Sequence, residues 1–69
     1  MKNEIRHETP VVVTLELTHR EAQALAQFVK RTGHSDASAK ATSDIEAYLM
    51  MDGVNAVMRA LELAGYAPR

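Results

Sequence analysis

Sixty-nine residues make one domain at most, at a size where a single core leaves little stability to spare without staples or a partner chain. There is no cysteine, which excludes disulfides and thiolate metal sites and fits a reducing compartment such as the cytoplasm. The net charge is −1 and no Lys/Arg cluster is present, which argues against direct nucleic-acid binding, since that needs grouped cations to displace counterions.

Charge is unevenly spread. Residues 1–32 carry Lys2, Arg6, Arg20, Lys30 and Arg31 against Glu4, Glu8, Glu16 and Glu21, whereas residues 33–65 set only Lys40 and Arg59 against Asp36, Asp44, Glu46, Asp52 and Glu62. No apolar run approaches a membrane span, and the N-terminus Met-Lys-Asn-Glu-Ile-Arg lacks the apolar core of a signal peptide. Apolar content is 46%, but the only aromatic residues are Phe28, Tyr48 and Tyr66, and alanine, which buries little area, makes up much of the rest. A thin core follows, and with it either a modest monomer or a homodimer that completes its core between two chains.

In chain order, residues 1–10 read as a polar arm or short edge strand that Pro10 stops. From Val11 to Leu17, Val11, Val13, Leu15 and Leu17 alternate with Val12, Thr14 and Glu16, the pattern of a half-buried strand. Such a strand needs a partner, from residues 3–8 or from a second copy of the chain. Thr18 and Glu21 form a capping box. The helix behind it starts near His19, carries Ala22, Leu25, Ala26 and Val29 in a stripe that Phe28 broadens, places Lys30 and Arg31 in the last turn, and ends at Gly33 as the residue after the cap.

Residues 34–43 are small and polar, and read as a loop or a single helical turn. Ser43 with Glu46 repeats the capping-box pattern and starts a second helix near Asp44. Ile45, Tyr48, Leu49, Met50, Val54, Val57, Met58, Leu61 and Ala64 then form a drifting stripe along roughly twenty residues, about 30 Å. Gly53 interrupts it as a kink or a close helix crossing, Gly65 closes it, and Tyr66 to Arg69 form a tail whose tyrosine has the option of folding back on the core. The predicted fold class is α+β: a short β-strand, in a hairpin or an intersubunit ribbon, followed by two main α-helices of which the second is long. The whole chain, 1–69, is one small domain.

Little in the chain carries chemistry. His7, His19 and His34 lack metal-ligand spacing. His34-Ser35-Asp36 holds the letters of a hydrolytic triad, but adjacent residues point apart, so Ser35 and Asp36 read as capping or turn residues. The three glycines stand alone and build no phosphate loop. A non-enzyme without cofactor or metal is expected. Met50, Met51 and Met58 read as core or dimer contacts, with a partner-binding stripe as the alternative. Asp36, Asp44, Glu46, Asp52 and Glu62 are the candidate partner-binding residues, an acidic face that either competes with nucleic acid for a basic protein or keeps the chain soluble.

Two resemblances bear on function. The order strand, Thr-x-x-Glu helix, Thr-Gly-His-Ser turn and second helix, over roughly Val11 to Met51, resembles the ribbon-helix-helix fold of dimeric repressors and antitoxins, which implies intersubunit strand pairing and DNA binding. The outward strand residues Val12, Thr14 and Glu16 depart from that family, having no group suited to base edges. Separately, Val-Thr-Leu-Glu-Leu-Thr, Glu-Ala-x-Ala-Leu-Ala-Gln-Phe, Glu-Ala-Tyr at 46–48 and Ala-Gly-Tyr-Ala-Pro at 64–68 are similar to small orphan proteins of proteobacterial phages and plasmids. That resemblance implies a non-catalytic protein in the host cytoplasm that binds a host complex. Its most concrete version is an anti-CRISPR inhibitor that occludes the nucleic-acid surface of a type I interference complex; a ribbon-helix-helix repressor or antitoxin is the alternative.

Overall fold

A computed structural model describes residues 9–67. Among them are three α-helices and no β-strand: α1 (His19–Arg31), α2 (His34–Lys40) and α3 (Asp44–Leu63). The expected α+β class is therefore corrected to all-α, with neither hairpin nor ribbon. Val11 to Leu17 has the residue types of a strand, but it takes no strand conformation and no second strand lies beside it among the described residues. The alternation itself is real, because Val11, Val13, Leu15 and Leu17 all line one cleft. The partner strand expected at residues 3–8, and the arm up to residue 8, lie outside the described residues.

The helices begin and end for local reasons. At α1 the Glu21 N–H donates to Thr18 Oγ1 at 3.1 Å and the Thr18 N–H donates to Glu21 Oε1 at 2.9 Å, which completes the capping box. The helix ends at Thr32, whose hydroxyl donates to the Phe28 carbonyl at 2.8 Å. Gly33 takes no left-handed conformation there. Its φ is −111°, and it opens α2 instead, its N–H donating to Asp36 Oδ2 at 2.8 Å. The stretch read as a loop or single turn is thus a seven-residue helix.

At α3 the Glu46 N–H donates to Ser43 Oγ at 3.1 Å. The Glu46 carboxylate reaches one residue further back than a capping box requires, accepting from the Thr42 N–H at 2.6 Å and the Thr42 hydroxyl at 2.9 Å. The far end of α3 does use a left-handed glycine. Gly65 has φ +96°, the Gly65 N–H donates to the Glu62 carbonyl at 3.0 Å and the Tyr66 N–H donates to the Leu61 carbonyl at 2.8 Å, so the last carbonyls of α3 are satisfied in a paired closure.

Packing is organised around α3, which touches both other helices. The buried cluster is Ala22, Ala26 and Val29 of α1 with Leu61 of α3, edged by Leu25, Val54, Val57, Met58 and Tyr66; Ala37 and Ala47 are buried on α2 and α3. His19 Nδ1 and the Tyr66 hydroxyl lie 2.7 Å apart, which brings the start of α1 to the end of α3 and makes the two antiparallel. At the other end the tilted rings of His34 and Tyr48 join α2 to α3 with centroids 4.8 Å apart. Among the described residues no buried side chain is larger than leucine. The chain leaves 5959 Å² exposed, against about 4300 Å² for a compact monomer of its mass.

Candidate functional site

With 3.6 residues per turn, the drifting stripe of α3 resolves into two faces. The inner face, Ala47, Met50, Met51, Val54, Val57, Met58 and Leu61, is buried or half-buried, so the methionines contribute to packing. The outer face is Ile45, Leu49, Gly53, Ala56, Ala60 and Leu63, all exposed; Leu49 is 63% and Leu63 90% accessible. The residue spacing carries the signal: the drift is the sum of two stripes. Beside the outer face runs the open segment, with Val11 at 84%, Val13 at 73% and Leu15 at 58%. Between them is a cleft of about 620 Å³, walled by the segment's odd-numbered residues on one side and by Gly53, Ala56, Ala60 and Ala64 on the other. A Cβ added at Gly53 would meet nothing within 4 Å, so no crossing inside the chain demands glycine there. Phe28, expected in the buried stripe of α1, is instead 66% exposed at a hollow shared with Arg31, Asp36 and Lys40.

The five candidate acidic residues do not converge. Asp44 and Glu62 point the same way from α3, about 27 Å apart along its axis. Asp52 is on the water side too, with Arg59 near it in angle. Glu46 sits on the opposite flank, engaged with Thr42; the Thr42 backbone N–H, then its hydroxyl, hold the Glu46 carboxyl below its ordinary value of 4.5. Asp36 caps α2. Two of the five are therefore engaged at helix starts and three are spread along the outside of α3.

The triad letters stay apart. His34 Nδ1 lies 3.4 Å from Ser38 Oγ, one turn on, and not against Ser35, while Asp36 is held by Gly33. Among the described residues no group of His, Asp and Glu is placed to hold a metal ion; His7 lies outside them. No helix among them is long and apolar enough to cross a membrane.

These features define a small all-helical scaffold with an apolar face left open beside its longest helix. The chain belongs to the family of unknown function DUF7706, whose profile matches residues 1–69, in keeping with the orphan-family resemblance read from its motifs. No curated protein and no solved structure matches the chain.

Proposed function

We propose that this chain is a non-catalytic protein-binding module. One observation carries the reading: several large apolar side chains of the open segment and of α3, among them Val11, Val13, Leu15, Ile45, Leu49 and Leu63, are exposed, while the buried core is made largely of alanine. Contiguous exposed apolar faces of this kind mark interaction surfaces. In its most concrete form the module comes from a phage or plasmid, acts in the host cytoplasm and inhibits a type I CRISPR interference complex. Ile45, exposed at the start of α3, supplies a desolvated contact and the outward carboxylates of Asp44 and Glu62 compete for cations that would hold nucleic acid.

The test is transformation of cells carrying an active type I system with a targeted plasmid. Expression of the protein is expected to raise transformation to the level of an untargeted plasmid, and D44N/E62Q is expected to lose at least tenfold of that protection. Unaltered interference in the presence of the folded protein would remove the inhibitor reading. The repressor alternative is left without the strand that would carry its DNA contacts, and a salt-sensitive shift of its own upstream DNA is the result that would restore it.

A further inference from the structure

We propose that α3 pairs with α3 of a second copy of this chain, antiparallel, through Leu49, Gly53, Ala56, Ala60 and Leu63. The inference deepens the reading of the apolar face as a binding surface, on which it rests, by naming what fills the cleft. These residues recur at alternating gaps of four and three, the spacing with which one helix seats its side chains against another. All are exposed, and Gly53, Ala56 and Ala60 form one wall of the cleft whose other wall is Val11, Val13 and Leu15.

Charge complementarity selects a second copy and sets its direction. Asp52 and Arg59 each stand one position before a residue of this face, Gly53 and Ala60, so they share one flank, about 10 Å apart along the axis. Placed antiparallel about a two-fold axis near Asn55 and Ala56, each copy sets its Asp52 against Arg59 of the other, twice over. In a parallel pair the same side chains would face Val57 and Ala64 of the second copy, and neither charge would be matched. The interface is then self-complementary, as a two-fold requires.

Side-chain size fits the same axis. Leu49 falls between Ala60 and Leu63 of the second copy, and Gly53 falls against Ala56 and Ala60. Small thus faces small at the centre, with leucines at the two ends, and the helices approach to the short end of the usual range of about 8–10 Å. Gly53, which has open space around it in the single chain, acquires a reason to lack a side chain.

Sedimentation equilibrium of the full chain from micromolar to millimolar concentration tests this, with circular dichroism as the check on folding. Wild type is expected to reach twice the chain mass. D52R and R59D each bring like charges face to face and are expected to weaken association roughly tenfold or more, and the double reversal D52R/R59D to recover to within about threefold of wild type. A56R, which sets two guanidinium groups on the axis, is expected to leave a folded monomer. A folded wild type that stays monomeric throughout, with the cleft filled by the chain's own N-terminal residues or by another protein, overturns the pairing. So does a dimer indifferent to A56R, or a double reversal no better than the single ones. In the plasmid assay, a monomeric wild type that still inhibits separates loss of the pairing from loss of the inhibitor reading, and a dimer that does not inhibit separates them the other way.

Discussion

Residues at the helix ends carry the most legible part of this molecule. Thr18 and Glu21 declare the start of α1 because the two side chains and two N–H groups satisfy one another without help from the rest of the fold. Thr18→Ala is expected to cost about 1 kcal/mol, a fall of roughly 4–8 °C in the thermal midpoint of a domain this size, read by circular dichroism. Glycine was harder to read. Gly33 and Gly65 both follow a helical stretch in sequence, yet only Gly65 is left-handed, because at Gly33 an Asp three residues on recruits the N–H for a new helix. Gly65→Ala is accordingly expected to destabilise by roughly 1–2 kcal/mol, whereas alanine at Gly33 is sterically free, its nearest neighbour being Asp36 Oδ2 at 3.9 Å. Glu46 supplies a pH signature. Since its folded carboxyl titrates below 4.5, its contribution is fully present above that value and is lost as pH falls through the lowered one. Thermal melts of wild type and Glu46→Gln should therefore differ at neutral pH and converge in acid; a gap independent of pH would detach Glu46 from the stability of the α3 start.

At the scale of elements, sequence periodicity located α1 and α3 to within a residue or two and misjudged the segment before them. Val11 to Leu17 alternates because alternate side chains face the cleft, and that is all that alternation dictates; a β-strand also needs a neighbour, which a single chain of this length does not provide among its described residues. Residues 34–43 hid a helix for the opposite reason: Ala37, Ser38 and Ala39 give no amphipathic stripe large enough to read, and only burial of Ala37 against the rest of the fold reveals its inward face. The candidate site was half legible. The acidic residues were visible as a composition bias, but two of them serve helix starts, and the outer face of α3 was merged with the inner one. Gly53→Ala tests how α3 behaves on its own: with no atom within 4 Å of the added carbon, alanine is expected to stabilise the dilute protein by about 1 kcal/mol. A drop in midpoint under dilute conditions would mean that the helix is kinked at that position in solution.

For the whole molecule the decisive quantity is how little is buried. Among the described residues every buried side chain apart from Val29 and Leu61 is an alanine, and a chain of this length holds a net stability of roughly 3–10 kcal/mol. Leu61 sits where α1, α3 and Tyr66 meet. Leu61→Ala is expected to cost about 2–5 kcal/mol, enough to leave much of the population unfolded at 37 °C, measurable as lost helicity that rising protein concentration partly restores if association is coupled to folding. A Leu61→Ala variant as stable as wild type would show that the α1–α3 contact is not what holds the fold.

The two tyrosines have a further use that follows from where they sit. With no tryptophan in the chain, their emission dominates the intrinsic fluorescence of the protein, and each ring lies against a different histidine: Tyr66 by His19 with centroids 5.4 Å apart, and Tyr48 by His34 at 4.8 Å. One junction closes α1 onto the end of α3 and the other closes α2 onto its beginning. The molecule thus carries two optical probes at opposite ends of one helix. In Tyr48→Phe the remaining signal follows the closure of α1, and in Tyr66→Phe that of α2, so the order in which the two helices leave α3 during unfolding can be timed without attaching any dye.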